Sequence, residues 1–399
     1  MKKQVKIVVG ANYGDECKGL ATAYFSEEYK NGNCLNILFN GSCQRGHTVD
    51  LNDRERHIFH HFGSGSFSNA STYFDQNFII NPIFFVEEYC DLQDLGVTPK
   101  CYCSPNCRVA VPYDAIINQI IERSRGKDKH GSCGVGVWET VERYRNSEYN
   151  LTVGELRELN DDELRKYLKD IATKYVPDRL QFYCKSNITD IYSTDILALT
   201  ECDGLIEHYI KDFRLMCQLN PFATYPALFD TFDSFVFEGA QGLALDKDNT
   251  AFYPYLTPSS TTSEVPLDRI KKFGRNVGVE VCYITRSYFT RHGAGPFPSE
   301  CDKSDICSDI EDFTNLPNSF QEFIRYGKFK KDEFINRVLS DMHHAKSISD
   351  DIRFSLFVSH LNYTNNELAG DCTLKELSNY FDRVYVSSAK YARSVEVIK

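Results

Sequence analysis

The sequence lacks any apolar run close to the roughly 20 residues that a membrane-spanning helix requires, so we expect no membrane contact. It also lacks an excess of positive charge, because 45 lysines and arginines face 56 aspartates and glutamates for a net charge of −11. So acidic a chain binds nucleic acid poorly, although a few local cations suffice for free nucleotides. We find no internal repeat and no low-complexity tract.

We also find no secretory signal, because Met1-Lys2-Lys3-Gln4 leads directly into the first apolar run. The 15 cysteines are odd in number and scattered along the chain. They are typical of reduced thiols, and we expect a cytoplasmic protein. Cys101, Cys103 and Cys107 fit no standard zinc spacing, and we interpret them as incidental.

Glycine marks the ends of several apolar runs, beginning with the run from Val5 to Val9. The following Gly10-Ala-Asn-Tyr-Gly-Asp-Glu-Cys-Lys-Gly19 predicts a strand, a phosphate-binding loop and the start of a helix. It is not a Walker loop, because Cys17 and Gly19 flank the lysine where Gly and Ser/Thr are required. A carboxylate such as Asp15 would repel phosphates unless it held a metal ion or took a proton during the reaction.

A second polar segment, Asn40 to Val49, follows the apolar run Leu35 to Phe39. Ligands of open α/β sheets bind at the carboxyl ends of strands, so Asp15 and His47 could face one pocket. One would be a base or metal ligand and the other a proton donor.

Further segments of this kind are Val236 to Asp246, its continuation Tyr253 to Thr262, and Thr290 to Glu300. In that order, the four segments resemble those of the adenylosuccinate synthetase family, which carries GDEGKG, NAGHT, EGAQG with YPYVTSSNTT, and TRVGAGPFPTE. The resemblance spans about residues 5 to 393. It implies a large, mostly parallel central sheet flanked by helices, in an α/β fold related to P-loop GTPases.

We expect a single domain over residues 1–399 with a mainly helical insertion at about 151–220, where leucines recur at helical spacing. Residues 113–123 form an amphipathic pattern and predict another helix. The last part of the sheet should include Phe354 to Leu361 and Arg383 to Val386.

The resemblance implies a ligase reaction in two steps. The 6-oxygen of a purine nucleotide, usually IMP, attacks the γ-phosphate of a nucleoside triphosphate, and the amino group of L-aspartate then displaces phosphate. By residue matching, Asp15 is the base and a Mg²⁺ ligand, His47 is the acid, and the carbonyl of Gly46 is a second Mg²⁺ ligand. The matched phosphate-binding residues are Gly14, Glu16, Cys17, Lys18 and Gly19.

The same matching assigns the substrate contacts. The purine nucleotide would contact Gln44, Ser132, Cys133, Gln241 and Thr257, with an arginine from a partner subunit, Arg145 or Arg143, so a homodimer is expected. The base of the triphosphate would contact His360, Asn362 and Ser388, and aspartate would contact Arg325.

Departures from the family pattern leave alternatives open. Cys17 replaces a loop glycine and would be strained at positive φ. Gln44 replaces an asparagine, and Asn362 replaces the aspartate that accepts hydrogen bonds from guanine, so ATP is a possible donor. The cationic TTGRRRR loop appears as residues 318–329, with only Arg325 and Lys328 as cations.

Two other functions therefore stay open. One is the phage-type 2-aminoadenylosuccinate synthetase, which uses dGMP and would place the protein in a host cytoplasm. Retention of Asp15, where such enzymes have serine, favours IMP instead. The other is a catalytically silent purine-nucleotide-binding protein.

Overall fold

The computed structural model describes residues 2–30, 32–52, 55–183, 202–312, 314–315, 323–349 and 351–399. The strands are β1 (Lys3–Gly10), β2 (Cys34–Leu38), β3 (His47–Asp50), β4 (Arg56–Phe59), β5 (Ser71–Phe74), β6 (Ile79–Ile80), β7 (Cys101–Cys103), β8 (Arg108–Val109), β9 (Ser234–Gly242), β10 (Val277–Arg286), β11 (Phe289–Arg291), β12 (Glu300–Cys301), β13 (Arg325–Gly327), β14 (Ile352–Ser359), β15 (Arg383–Val386) and β16 (Glu396–Val397). The helices are α1 (Lys18–Glu28), α2 (Pro82–Asp94), α3 (Pro112–Arg125), α4 (Val137–Asn146), α5 (Val153–Glu158), α6 (Asp161–Asp170), α7 (Val176–Tyr183), α8 (Asp203–Leu219), α9 (Tyr225–Thr231), α10 (Glu264–Phe273), α11 (Lys331–Ile348) and α12 (Leu374–Ser378).

A nine-stranded central sheet has the order β16-β15-β14-β10-β1-β9-β2-β5-β7. Its neighbouring strands pair in parallel except for the antiparallel pair β15–β16. Parallel strands covered on both faces read as continuous apolar runs, which is why β1, β2 and β14 were visible in the sequence. The predicted large, mostly parallel sheet flanked by helices is confirmed.

Alternate residues of β1 feed two cores on opposite faces of the sheet. Val5, Ile7 and Val9 belong to the larger core, together with residues of α10 and α11. Val8 points to the other face and packs in the cluster that contains Leu20 and Phe25 of α1. The sheet is thus buried from both sides, as the absence of polar alternation in β1 requires.

The described residues of the expected insertion, 151–183 and 202–220, consist largely of α5 to α8, with a π-helical turn at Ile171–Tyr175. Their apolar side chains, among them Leu156, Leu164 and Leu168, join a separate core with α2 and α3. Residues 184–201 of the insertion lie outside the described part of the chain. Among the described residues, no helix is long and apolar enough to cross a membrane.

The carboxyl ends of β1, β2, β9, β10 and β14 meet at one edge of the sheet. There β1, β2 and β9 run into polar segments, and β10 and β14 end at Arg286 and Ser359. Pairing of β1 with β9 shifts register there, since Val8 lies opposite Glu238 whereas Gly10 lies opposite Gly242. Within this irregularity Gln241 adopts φ +63°. The bulge therefore brings Gln241 beside the loop that follows β1.

Candidate active site

The loop between β1 and α1 is braced by its own charged side chains. The Glu16 carboxylate accepts hydrogen bonds from the backbone N–H groups of Asn12 (3.0 Å) and Gly14 (2.8 Å). Lys18 Nζ donates to the Gly14 carbonyl (2.6 Å) and lies 3.7 Å from Glu16. Both charged side chains are buried, and burial raises the pKa of Glu16. Glu16 was expected to contact phosphate, but its carboxylate is committed to the loop, which leaves its backbone N–H for that contact.

Cys17 caps the start of α1 in the left-handed conformation, with φ +67° and ψ +36°. The strain expected for cysteine at this position is therefore present. Its sulfur lies 3.6 Å from Nδ1 of His360, itself at φ +60°. The helix start beside it presents N–H groups and the positive end of the helix dipole to the cavity, which suits phosphate.

Asp15 is fixed through its backbone, while its side chain lines a cavity. Its carbonyl accepts hydrogen bonds from Arg286 Nε (2.5 Å) and the Thr290 hydroxyl (3.3 Å). Burial raises the pKa of its carboxyl, and the charges of His292, Arg286 and Lys18 oppose that rise. A carboxylate held in this way is suited to accept a proton or bind a hard cation.

His47 is held by a buried carboxylate on β9. Its Nδ1 lies 2.6 Å from Glu238 Oε1, and Glu238 also receives the Ser64 N–H (3.0 Å) and lies 3.4 Å from Arg45. Burial would raise the pKa of Glu238, but Arg45 and His47 outweigh it and lower the pKa to about 2. Burial lowers the pKa of His47 to about 4, although Glu238 opposes this. The ionised Glu238 therefore accepts a hydrogen bond from the Nδ1–H group of His47, which leaves Nε2 as the second functional atom.

Two cavities adjoin at this edge of the sheet. The larger, of about 630 Å³, is lined by residues 14–20, 46–48 and 389–391 and by Arg286, Asp312, His360 and Asn362. The smaller, of about 310 Å³, is lined among others by Gln44, Ser132, Cys133, Gln241, Thr257, Trp138, Arg291 and His292. They meet where a Cβ built on Gly14 would lie 3.0 Å from the Gln241 Cα. The structure thus brings Asp15 and His47 to one cavity, and the residues matched to the purine nucleotide to the other.

The other matched residues divide into available and occupied ones. Arg143 is buried and bound to both carboxylate oxygens of Asp114 (2.9 Å each), whereas Arg145 is exposed on α4. Of these two, only Arg145 can reach another subunit. Ser388 is exposed, does not line the larger cavity, and donates to Asn366 (2.9 Å).

Arg325 is largely occupied inside the protein. It binds both carboxylate oxygens of Glu300, one at 2.7 Å, and donates to the carbonyls of Gly293 (3.3 Å) and Gly295 (2.8 Å). This guanidinium is not free for a dicarboxylate unless these bonds break, which speaks against the aspartate-binding role expected for it. Residues 316–322, which precede it, lie outside the described part of the chain.

Sequence reasoning assigned no role to Glu238, Arg286 or His292. A clue to Glu238 was present in the sequence, because a carboxylate stands there inside an otherwise apolar stretch, Val236 to Gly239. In the structure it is fully buried. The clue to Arg286 was weaker: it is a cation at the end of an apolar strand, β10. His292 stands where the quoted family segment has valine, and that difference could have drawn attention to it.

The adenylosuccinate synthetase family model matches residues 7–325. Adenylosuccinate synthetases from Clostridium botulinum (strain Eklund 17B / Type B) and Clostridium perfringens (strain 13 / Type A) are 29% and 30% identical to this chain. Each match covers 74% of this chain and 65% of the relative, slightly under two thirds of its length.

Two solved structures share the fold. A fully ligated adenylosuccinate synthetase from Plasmodium falciparum matches with a TM-score of 0.70 at 17% identity, over 100% of both chains. Cyanophage S-2L succinoaminodeoxyadenylate synthetase, bound to dGMP and dATP as an energy donor, matches with a TM-score of 0.61 at 16% identity, over 100% of this chain and 96% of that chain.

Proposed function

This chain belongs to the adenylosuccinate synthetase family, and from that premise we propose that it is a ligase that joins the amino group of L-aspartate to C6 of a purine nucleotide at the expense of a nucleoside triphosphate. The observation that carries the proposal is that Asp15 and His47 line one cavity beside a braced phosphate-type loop, with His47 bonded to the buried Glu238 behind it. A purine 6-oxygen becomes a leaving group only after phosphorylation, and this arrangement suits that step.

In the proposed reaction, Asp15 takes the N1 proton of a purine that enters from the smaller cavity. Its carbonyl bonds to Arg286 and Thr290 fix the direction from which the carboxylate approaches. The resulting enolate oxygen attacks the γ-phosphorus held against the start of α1, and the nucleoside diphosphate leaves. In its protonated form, which the ionised Glu238 and the triphosphate's own charge favour, His47 stabilises the negative charge that develops between the purine oxygen and the transferred phosphoryl group. The amino group of aspartate then attacks C6 and displaces the phosphate.

The donor set at this position fits Mg²⁺. The Asp15 carboxylate and the Gly46 carbonyl are hard oxygen ligands. Burial raises the pKa of Asp15 and disfavours its charged form, and a bound cation would offset that cost. Among the described residues, no group of three or more His, Cys, Asp or Glu side chains could hold a metal ion by itself. Substrate phosphates and water would supply the remaining ligands, as Mg²⁺ usually requires. When bound, the ion would neutralise phosphate charge.

A second candidate function differs from the first in its purine substrate. Retention of Asp15 supports IMP as substrate. However, Gln44 Oε1 is buried in the smaller cavity and receives no hydrogen bond from the described residues. The 2-amino group of dGMP could supply a donor to it, so a synthetase that converts dGMP to the 2-aminoadenylosuccinate nucleotide is the alternative.

The triphosphate is more consistent with ATP. Asn362 and His360 line the far end of the larger cavity. A carboxylate would accept two hydrogen bonds from guanine, whereas the Asn362 carboxamide offers one acceptor and a donor group, which complements adenine. A homodimer would complete the smaller cavity if Arg145 of each subunit reached the other.

The experiment is to mix purified protein with IMP or dGMP, ATP or GTP, and a panel of amino acids, and to identify products by mass. We expect aspartate to be added to IMP. Asp15→Ala and His47→Ala should each lower the rate about a hundredfold or more. Unchanged turnover in Asp15→Ala would remove it from the mechanism, and tight nucleotide binding without phosphate release would identify a silent binding protein.

A further inference from the structure

The amino-acid substrate of the proposed reaction is a dicarboxylate, which normally requires arginine or several hydrogen-bond donors. The two cations of residues 318–329, Arg325 and Lys328, are poorly placed to bind the carboxylates of such a substrate. Arg325 is bound to Glu300 and to two backbone carbonyls. Lys328 is exposed and lines neither cavity. The carboxylates therefore need another receptor within reach of the reaction centre.

The last residue of β11, Arg291, carries a guanidinium that pairs with no carboxylate of the described residues. Arg291 is 1% exposed and lines the smaller cavity. It donates hydrogen bonds to the carbonyls of Ala294 (3.2 Å) and Pro296 (2.5 Å), and it makes no ion pair with any described carboxylate. Burial lowers its pKa to about 10. The guanidinium also lies over the rings of Tyr13 (5.1 Å) and Phe252 (5.5 Å), but neither contact neutralises its charge. An anionic ligand in the cavity would offset the cost of burying this charge.

The next residue, His292, lies between this guanidinium and the reaction centre. Two residues before His292, the hydroxyl of Thr290 donates to the Asp15 carbonyl at 3.3 Å, so this part of the chain runs beside Asp15. His292 lines the smaller cavity, while Asp15 lines the larger. His292 is close enough to the Asp15 carboxyl to interact with it electrostatically. His292 therefore stands where the two cavities meet.

We propose that Arg291 and His292 form the anion-binding subsite for the carboxylates of the amino-acid substrate, in place of the cationic loop that residues 318–329 do not supply. The amine must approach purine C6 beside Asp15, which brings its carboxylates to this turn. The imidazole donates one N–H to a carboxylate oxygen, and the guanidinium supplies the positive charge. The subsite therefore selects dicarboxylates over neutral amino acids. This inference rests on the proposed function.

The test replaces His292 with valine, the residue in the quoted family segment. Loss of a hydrogen bond to a charged group predicts that KM for aspartate rises about tenfold or more, while KM values for both nucleotides change less than about twofold. His344→Val, on the exposed side of α11 beside Glu264, is the matched control and should leave all KM values unchanged. A rise in the purine KM with an unchanged aspartate KM would overturn the proposal.

A binding measurement separates this inference from the proposed function. Succinate is a dicarboxylate without a nucleophile, and calorimetry can measure its binding to protein saturated with IMP and ATP. Binding to the wild type that weakens about tenfold in His292→Val supports the subsite, even if the wild type forms no product with any amine. Equal binding by both proteins, or none by the wild type, overturns it. Arg291→Lys, which keeps the charge but loses the planar fork, should weaken succinate binding without abolishing it.

Discussion

Replacement of Glu238 by glutamine tests whether His47 depends on its buried carboxylate. The 2.6 Å bond between Nδ1 and Oε1 joins the imidazole to a charged acceptor. Such bonds contribute about 1.5–3 kcal/mol, and 1.36 kcal/mol corresponds to a tenfold change in rate. If the bond strengthens as His47 meets negative charge, kcat should fall about 10- to 150-fold. The direction follows from electrostatics, because without Glu238 nothing offsets the burial that disfavours the charged imidazole.

The matched control is Glu280→Gln. Glu280 is also a buried glutamate on a strand of the central sheet, and it lies 3.0 Å from Lys6, away from both cavities. Both substitutions leave a buried cation, Arg45 or Lys6, with a neutral partner, so both should lower the thermal midpoint. Steady-state phosphate release and circular dichroism measure the two effects. A folded Glu238→Gln protein whose kcat falls less than about threefold would refute this account of His47.

Four other predictions concern stability and substrate choice. Cys17→Gly should raise the free energy of unfolding by about 1 kcal/mol, measured in urea, because φ +67° disfavours cysteine; an unchanged or lower midpoint would contradict this. Asn362→Asp should change the ratio of kcat/KM with ATP to kcat/KM with GTP about tenfold or more in favour of GTP. An unchanged ratio would show that this residue does not contact the base of the triphosphate. Glu238 has its pKa lowered from 4.5 to about 2, so its stabilising effect is present above pH 4.5 and lost toward pH 2. The stability difference between wild type and Glu238→Gln should shrink over that interval, and a constant difference would argue against it. Arg145→Ala should weaken purine nucleotide binding with little change in thermal midpoint, whereas Arg143→Ala should lower the midpoint because it leaves Asp114 buried and unpaired.

Much of the fold could be predicted because its signals are local. Parallel strands buried on both faces are apolar throughout, so β1, β2, β9 and β14 appear as runs that end in glycine or polar residues. The rule that ligands bind at the carboxyl ends of such strands then places Asp15 and His47 together before any coordinates are known. The helix over residues 113–123 follows from its 3.6-residue period, and the structure has it as α3.

The parts that could not be predicted depend on packing between distant segments. The charge of Glu238 is visible in the sequence, but its partner His47 lies 191 residues away and no local pattern connects them. The sequence alone does not distinguish Arg143 from Arg145. In the structure Arg143 is buried against Asp114, whereas Arg145 is exposed. That no described carboxylate pairs with Arg291 likewise could not be read from the sequence, because it depends on how distant segments pack around the cavity.

Backbone strain gives independent support to the location of the site. Among the described residues, seven residues other than glycine have positive φ. Four of them are asparagines, which tolerate that conformation. The other three are Cys17, Gln241 and His360, and each lines one of the two cavities. Strain of this kind persists only where surrounding structure enforces it, and it concentrates at functional sites. Glycine adopts φ +67° without strain and is the residue that the family segment carries here, so Cys17→Gly should keep the loop in place. A more stable protein with unchanged turnover is the expected combination, and slower turnover would show that the strain at Cys17 serves the reaction.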